Sequence, residues 1–218
     1  MRTLSSTLLA AQKSASSQPY VKLTVTERVG GITRLNWSRF YTGSEPDYYH
    51  AATLPGDGSL VRARVSNTSP YWLYIQRVAS PGPGSDFSQW SSLVQVSGSS
   101  GIALASQGAN VLLFFVDTNG QTIKYAESNN YGASFGSPIS ILTAPGVVGW
   151  LAAGFNNSGS VALFYSVGGT IYAVKRTGGS WGTPASWTNS LSAITGLGCT
   201  YAGDWNLAVT GQDSSGCY

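Results

Sequence analysis

Residues 101–142, GIALASQGANVLLFFVDTNGQTIKYAESNNYGASFGSPISIL, decide the fold of this chain. Short apolar runs alternate there with turns at Gln107-Gly108 and Asp117-Thr-Asn-Gly120, which contain the residues that tight β-turns favour. The strands are expected at 101–106, 111–116, 122–128 and 139–142. This order predicts one sheet of four short antiparallel strands.

The same pattern recurs along the chain about every 47 residues. The loops before the fourth strands contain Phe87-Ser-Gln-Trp90, Phe135-Gly-Ser-Pro138 and Trp181-Gly-Thr-Pro184. Because one such sheet cannot bury both of its faces, the copies must stack face to face around an axis. The sequence therefore predicts an all-β fold, a β-propeller of four-stranded blades. We expect the largely apolar second strand of each blade to be buried on both faces near the axis.

Residues 47–218 are expected to carry the blades, with three complete units up to residue 188 and part of a fourth. Residues 1–46 are expected to form a short amphipathic helix over 3–16 and a β-hairpin over 20–41. This segment would anchor the chain or close the ring, or the chain is the front part of a longer propeller. The abrupt ending favours a ring that is incomplete in this chain, through truncation or completion by another chain.

The charge pattern narrows the range of partners. Charged residues make up 10% of the 218 residues, and 12 basic against 9 acidic residues give a net charge of +3. These charges are spread thinly, without a basic run that could follow a phosphate backbone, so nucleic acid is not expected as a partner. No apolar stretch reaches the roughly 18 residues of a membrane span. Lys13 interrupts the apolar N-terminus before it reaches the length of a signal peptide.

Metal and cofactor sites are not expected. Cys199 and Cys217 lack the paired spacing of a zinc site, so they are either free thiols or one disulfide. Asp57 and Asp117 each precede a glycine closely, which is typical of turns rather than of metal ligands.

The loop before the fourth strand of the second unit reads Ser128-Asn-Asn130-Tyr-Gly132-Ala-Ser-Phe135. It resembles the Asp-box (BNR repeat), S-x-D-x-G-x-x-W, of sialidase-like propellers, with Asn130 in place of Asp and Phe135 in place of Trp. Weaker versions contain Ser80, Gly84 and Phe87 in the first unit, and Gly179 and Trp181 in the third. The resemblance implies a structural turn, away from any catalytic face. A polar side chain there caps backbone amides, glycine takes a positive φ, and the aromatic ring packs into the blade.

The N-terminal residues show a second resemblance. Residues 4–13, followed by Tyr20-Val-Lys-Leu-Thr-Val, look like the opening of bacteriophage tail-type proteins. In those proteins a short helix and hairpin anchor the chain to a neighbouring subunit. The resemblance implies a virion location, and an extracellular location is the alternative.

One polar segment and three tryptophans are candidates for contacts with a ligand or a partner. The segment contributes Arg39, Tyr41, Glu45, Asp47, Tyr48, Tyr49 and His50. The alternative is that it forms a packed junction between the hairpin and the first blade. Trp72, Trp150 and Trp187 could offer flat apolar faces to sugar rings, although packing within or between blades is the main alternative.

The number and placement of ionisable residues favour binding over catalysis. A sialidase needs three arginines for the substrate carboxylate, a Tyr–Glu nucleophile pair and an Asp acid. The glutamates of this chain are Glu27, Glu45 and Glu127. Arg62, Arg64 and Arg77 crowd one unit, where we expect them at solvated strand edges. We therefore predict no catalytic residues, and a non-catalytic binding or structural module whose partner is a protein, further copies of itself or a glycan. The alternative is a sialidase-type glycoside hydrolase.

Overall fold

The computed structural model describes residues 23–28, 32–37, 49–81, 85, 89–188, 191–213 and 216–217. The backbone alone is described at 23–28, 32–37, 49–50, 187–188, 212–213 and 216–217. The chain divides into two compact units, Met1–Pro46 and Asp47–Tyr218. The helix expected over 3–16 lies outside the described residues.

The first unit contains an antiparallel β-hairpin, as predicted. Its strands are β1 (Leu23–Arg28) and β2 (Ile32–Trp37). Leu23 lies opposite Trp37 and Arg28 lies opposite Ile32, so the two strands pair along their full length. The β-branched residues of Leu-Thr-Val-Thr in β1 favour this extended conformation.

Four antiparallel sheets, here called blades I to IV, form the described part of the second unit. Blade I consists of β3 (Tyr49–Thr53), β4 (Leu60–Val65), β5 (Trp72–Val78) and β6 (Ser91–Gln95). Blade II consists of β7 (Ala103–Gln107), β8 (Asn110–Val116), β9 (Thr122–Ser128) and β10 (Ile139–Thr143). Blade III consists of β11 (Val148–Phe155), β12 (Val161–Val167) and β13 (Thr170–Thr177), with β14 (Ser180–Trp181) and β15 (Ala185–Thr188) both pairing with β13. Blade IV consists of β16 (Ala193–Tyr201), β17 (Trp205–Asp213) and β18 (Gly216–Cys217).

Strands that follow each other along the chain pair in each sheet, because turns reverse the chain; the exception is β15, which pairs with β13 rather than with β14. The turn between β8 and β9 shows how the sequence directs this. The Oδ1 atom of Asn119 accepts the backbone N–H groups of Gln121 and Thr122 at 2.9 Å each. Gly120 takes a φ of 73°, a conformation that residues with a side chain rarely adopt. The predicted turn signal at 117–120 is confirmed.

The second strands of blades II and III, β8 and β12, are buried on both faces, as predicted. In contrast, β4 of blade I from Val61 to Val65 buries only the side chains that point toward blade II, and the described side chains of β17 alternate between half-buried and exposed up to Thr210. All residues of β8 from Val111 to Val116 are buried. Val111, Leu113 and Phe115 belong to an apolar cluster shared with blade I, and the alternate side chains belong to one shared with blade III.

The contacts from blade to blade are made mainly by the first strands, since β7 contacts β3 and β11, and β11 contacts β16. The second strands β8 and β12 make fewer such contacts, with β11 and β16 respectively. The position nearest the axis therefore belongs to the first strands and not, as expected, to the second strands.

Hydrogen bonds also join neighbouring blades at the loops between them. The N–H of Gly101 donates to the carbonyl of Gly149 at 2.7 Å, and the hydroxyl of Ser100 donates to the carbonyl of Val148 at 2.7 Å. A Cβ atom on Gly101 would lie 3.2 Å from the backbone nitrogen of Leu151. Glycine therefore permits the close approach of blades II and III.

Blade IV packs against blade III through one face of its sheet. Leu197, Leu207 and Trp205 pack against the buried Ala162 and Phe164 of blade III. Cys199, half-buried in the same cluster, carries a free thiol, and burial raises its pKa to about 12. Among the described residues the blades form an open series rather than a closed ring. This part of the chain has no helix long and apolar enough to cross a membrane.

Candidate functional site

The polar segment proposed for ligand or partner contacts lies mostly outside the described residues. This applies to Arg39, Tyr41, Glu45, Asp47 and Tyr48. Tyr49 and His50 are the first two residues of β3, where the backbone of His50 lies opposite Arg64 of β4. The segment therefore stays a prediction.

The loop between β9 and β10 is a turn held by its own polar side chains. The hydroxyl of Ser128 accepts the backbone N–H of Gly132 at 2.9 Å and donates to Oδ1 of Asn130 at 2.8 Å. Oδ1 of Asn130 also accepts the backbone N–H of Ser134 at 3.0 Å. Tyr131 and Gly132 have φ values of 60° and 79°. A neutral asparagine thus caps this turn where the Asp-box pattern has a carboxylate.

This turn packs against blade I. A Cβ atom on Gly132 would lie 2.5 Å from Cγ2 of Val61, so glycine allows the turn to lie directly on β4. Nε of Arg77 donates to the carbonyl of Tyr131 at 3.0 Å, and its Nη2 donates to Oδ2 of Asp57 at 2.6 Å. The turn therefore joins blades I and II.

The aromatic residues of the Asp-box-like loops also lie at blade interfaces. Phe135 packs against the cluster between blades I and II. Trp181 meets the rings of Phe114 and Tyr125 of blade II edge-on, at centroid distances of 5.9 and 5.8 Å. The carbonyl of Gly179, which has a φ of 86°, accepts Nε of Arg176 at 3.3 Å. Ser80 is exposed, whereas Gly84 and Phe87 lie outside the described residues.

A second group of polar and aromatic side chains lies on the side of blade I that faces away from blade II. Val61, Ala63 and Val65 of β4 pack toward blade II. Successive side chains of a strand point to opposite faces, so the residues between them point the other way. We call this surface the arginine–aromatic face; its members are Arg62 and Arg64 of β4, Trp72, Tyr74 and Gln76 of β5, and Trp90.

Direct contacts hold the arginine–aromatic face together. Arg62 lies opposite Gln76 and Arg64 opposite Tyr74 in the strand register. Nε of Arg62 donates to Oε1 of Gln76 at 3.1 Å. The Cζ atoms of Arg62 and Arg64 each lie 4.6 Å from the ring centroid of Trp90, and that of Arg64 lies 5.0 Å from the ring of Tyr74. Both guanidinium groups therefore share one indole as a cation–π partner.

The electrostatics of this face differ from those of an ordinary surface. Burial and, to a lesser extent, the neighbouring positive charge of Arg64 together lower the pKa of Arg62 to about 10. The expectation that these arginines lie at strand edges is wrong. Strands β4 and β5 are both internal in the order β3-β4-β5-β6, so the side chains project from the middle of the sheet.

The repeat shows which residues the arginines replace. Val61 of blade I and Leu112 of blade II both face the next blade, which makes Arg62 and Arg64 the equivalents of Leu113 and Phe115. The register agrees, because Arg62 lies opposite Gln76 as Leu113 lies opposite Ala126. In blade II the corresponding side chains, Leu113, Phe115 and Ala126, are 0% exposed. Blade I thus carries cations at positions that blade II fills with apolar groups.

Three carboxylates of the blades form ion pairs within or between blades. Asp57 pairs with Arg77 at 2.6 Å, and Asp117 pairs with Lys124 at 2.6 Å. Glu127 of blade II pairs with Arg176 of blade III at 3.3 Å. The described residues contain no group of three His, Cys, Asp or Glu side chains that could hold a metal ion.

The three tryptophans singled out for sugar contacts differ in position. Trp72 is half-buried on the arginine–aromatic face, and Trp150 is half-buried on β11, where the register shifts between Val148 and Leu151. The side chain of Trp187 is outside the described residues. Sequence reasoning missed the combination of Trp72 with the arginines. The signal was available, since arginines stand two residues apart in a strand whose other copies are apolar.

Among the comparisons with known proteins, only the one with solved structures gives matches. No family model matches this chain, and no curated protein matches it significantly. Aleuria aurantia lectin matches with a TM-score of 0.55 and 15% identity, over 76% of this chain and 54% of the lectin. Penicillium chrysogenum α-L-arabinanase matches with a TM-score of 0.58 and 11% identity, over 95% and 74% of the two chains. A Hadza microbial sialidase matches with a TM-score of 0.53 and 14% identity, over 92% and 51%.

These neighbours are β-propellers, and the described sheets of this chain follow their arrangement. This chain has a β-propeller fold. A sialidase is among these neighbours, which is consistent with the propeller fold that the Asp-box resemblance implied. The chain spans about half the length of the lectin, 54% of it. At identities of 11–15% the likeness shows the fold alone. The activity must therefore be inferred from the residues of the site.

Proposed function

We propose that this chain is a non-catalytic propeller module that binds carbohydrate through the arginine–aromatic face of blade I. The observation that carries the proposal is the row of Trp72, Tyr74 and Gln76 beside Arg62 and Arg64 on one sheet face. The neighbours named as a lectin, an arabinanase and a sialidase support a carbohydrate ligand.

The chemistry of the face suits a sugar. Trp72 and Tyr74 are half-buried, so each residue keeps part of its surface accessible to solvent. Flat aromatic surfaces suit the apolar faces of sugar rings, and fixed polar groups beside them supply orientation and specificity. The guanidinium groups provide such polar groups, and their cation–π contacts with Trp90 restrict their movement. Gln76 is buried and orients Arg62, since its Oε1 accepts Nε of Arg62.

The described carboxylates favour binding over hydrolysis. A glycosidase needs two carboxyl groups about 5–10 Å apart, one of them with a raised pKa so that it donates a proton. Asp57, Asp117 and Glu127 each pair with a cation. The pKa of Asp57 and that of Asp117 are lowered, which is the opposite of what a general acid requires.

A binding module of this kind would serve attachment to a glycan-bearing surface. An extracellular setting suits that role. The virion location rests on the likeness of the N-terminal residues to phage tail-type proteins, and we retain it as a prediction. A proteomic search of purified virions and of culture supernatant would distinguish the two locations.

A glycan array combined with fluorogenic sialoside and arabinoside substrates tests the proposal. We expect binding to a defined set of glycans without turnover. Measurable turnover would establish the hydrolase alternative instead, and an array without any bound glycan would refute carbohydrate binding.

Separate substitutions of two half-buried tryptophans then test where the binding site lies. We expect Trp72→Ala to weaken binding at least about tenfold, since loss of a buried aromatic contact typically costs a binding site that much. Trp150→Ala is the matched control and should retain the affinity. Circular dichroism melts verify that both variants fold. If Trp150→Ala abolishes binding while Trp72→Ala does not, the site is not on blade I.

A further inference from the structure

We infer that β17 of blade IV binds an extended segment of a partner protein as an added strand, and that this segment carries an acidic residue which pairs with Lys175. Blade IV lies at the other end of the blade series from the arginine–aromatic face. The inference therefore goes beyond carbohydrate binding and does not depend on it.

One edge of β17 differs from the corresponding edge of the other second strands. The second strands of blades I to III each pair with a first strand on one side and a third strand on the other. In blade IV the third strand is β18, which pairs only with Gln212 and Asp213. Within the described part of the chain, no strand covers this edge along residues 205–211. The stretch contains neither a charged residue nor a proline, the features that usually protect an edge strand from pairing.

Two apolar side chains of β17 are incompletely buried. Counted from the first cross-strand pair after the turn, Leu207 and Val209 correspond to Leu163 and Tyr165 of β12. Leu163 and Tyr165 are 0% and 1% exposed, whereas Leu207 and Val209 are half-buried. In blade III, β13 lies beside β12. A strand beside β17 would complete the burial of its two side chains in the same way.

Blade III also shows which residues such a strand would carry. Val174 and Tyr172 of β13 lie opposite the two buried residues of β12, at alternate positions. A segment on β17 should likewise place apolar side chains opposite Leu207 and Val209. Side chains on the other face of β17, such as Ala208, are exposed, so the intervening residues of the segment are free to be polar.

One position of the third strands makes polar contacts with the next blade. Arg77, Glu127 and Lys175 share this position, because each lies opposite a residue of the second strand that faces the next blade. Nε of Arg77 donates to the carbonyl of Tyr131 in blade II. Glu127 pairs with Arg176 of blade III at 3.3 Å.

Lys175 has the same direction as these residues but no comparable contact. It is exposed and forms no ion pair with the described residues, and its Nζ lies 4.9 Å from the ring centroid of Trp205 in blade IV. Arg176, the partner of Glu127, lies opposite Val161, the first residue of β12. The equivalent position on blade IV is opposite Trp205, the first residue of β17. A carboxylate at that position of the added segment would therefore pair with Lys175.

Space favours a single segment over a second copy of this chain. The twofold axis that relates two antiparallel β17 strands is perpendicular to the sheet, so both copies of blade III would lie on the same side of it. Blade III packs on that side through Ala162 and Phe164, and Ala173 of β13 belongs to the same cluster. The two copies of blade III would overlap there. An extended segment adds a strand without this overlap.

The closing experiment uses two peptides that differ in one residue. One has the sequence of β13, Thr170–Thr177, with Arg176→Glu, and the other keeps Arg176. In the register of β13, residue 176 of the peptide would lie opposite Trp205. Fluorescence anisotropy measures the binding of each labelled peptide to the full chain. We expect the Arg176→Glu peptide to bind at least about tenfold more tightly at low salt, with the difference shrinking as salt screens the charges.

Variants of the protein assign the binding to this edge. Lys175→Glu should reverse the preference between the two peptides. Val209→Asn should weaken the binding of both about tenfold, because it removes an apolar contact beside the added strand. Ala208→Asn is the matched control on the exposed face of the same strand and should retain the affinity. Circular dichroism melts verify that all three variants fold.

The outcomes distinguish the parts of the inference. Binding of neither peptide overturns it. Equal affinity for the two peptides, or a preference that survives Lys175→Glu, overturns the acidic residue. Equal effects of Val209→Asn and Ala208→Asn overturn the assignment to this edge. A dimer in light scattering that Val209→Asn dissociates would make a second copy the occupant and overturn the partner protein. All of these results leave carbohydrate binding on blade I intact.

Discussion

Two equivalent sheet faces, one in blade I and one in blade II, have opposite chemistry. In blade II the face that packs on blade I carries Leu113 and Phe115, and both are 0% exposed. In blade I the same positions are Arg62 and Arg64, which are half-buried beside Trp90. The strands of the two blades pair in the same order, and Arg62 and Arg64 have the same register positions as Leu113 and Phe115, so strand pairing does not require an apolar residue there. What requires it is the blade that packs there.

The largest expected effect comes from placing an arginine, which blade I has at position 64, at the equivalent buried position of blade II. We expect Phe115→Arg to lower the free energy of unfolding by about 4 kcal/mol or more, because it buries a charge and removes a packed ring. Urea denaturation followed by circular dichroism measures the change.

The reciprocal substitution is the control. Arg64→Phe should change the free energy of unfolding by less than about 1 kcal/mol, since replacing a partly buried charge by an apolar group is often neutral. If the two exchanges have similar effects, the two faces are energetically equivalent and the comparison fails.

The next effect concerns the interface between blades II and III. Trp181→Ala should cost about 3 kcal/mol, because the indole packs edge-on against Phe114 and Tyr125. Trp181→Phe should cost about 1 kcal/mol, since Nε1 of Trp181 is buried without a hydrogen-bond partner among the described residues. A penalty for Trp181→Phe as large as that for Trp181→Ala would mean that Nε1 has a partner after all.

A smaller effect is expected at Gly132, where the turn between β9 and β10 of blade II lies against the side chain of Val61 in blade I. Gly132→Ala should cost about 2 kcal/mol, because its φ of 79° disfavours a side chain and the new Cβ would meet Val61. The added Val61→Ala substitution should remove the part of the penalty that comes from the contact. Gly136→Ala is the control in the same loop, since its Cβ would lie at an ordinary 3.6 Å from the carbonyl of Glu127. Equal melting temperatures for Gly132→Ala and Gly136→Ala would contradict this packing.

The smallest effect concerns pH. Lys124 occupies the position in blade II that Tyr74 occupies in blade I. The hydrogen bond from Lys124 to Asp117 is the main reason that the pKa of Asp117 lies below its ordinary value of 3.8. A lowered folded-state pKa contributes stability above 3.8 that is lost as the pH falls through the folded-state value. Asp117→Asn should therefore lose less stability than the parent protein between about pH 5 and pH 2. Urea midpoints at both pH values measure this, and an unchanged acid sensitivity would assign it to other groups.

The blades were predictable because their signals are local. The apolar run of β8 and the Asp-Thr-Asn-Gly turn after it each act within a few residues. Repetition of such units implies stacking, because no single unit can bury its apolar faces alone. The identity of the innermost strands was not predictable in this way. It depends on which strands of neighbouring blades meet.

The candidate site was predictable in part. Trp72 was singled out from the sequence, but the arginines were assigned to strand edges. Whether a strand is internal depends on pairing on both of its sides, and the direction of its side chains depends on the neighbouring blade. The polar residues from Arg39 to Tyr48 stay a prediction, as do the bounds of the two domains.

The sequence by itself determined the unit of this protein: four short strands, their turns, and a face of each strand that must be apolar to meet the next blade. Turn chemistry and strand alternation act over a few residues, so they can be recognised without a structure. The tertiary structure decided which faces pack and which face gathers Arg62, Arg64, Trp72 and Trp90. Cross-strand register brings these residues together, and register joins positions that are far apart in sequence.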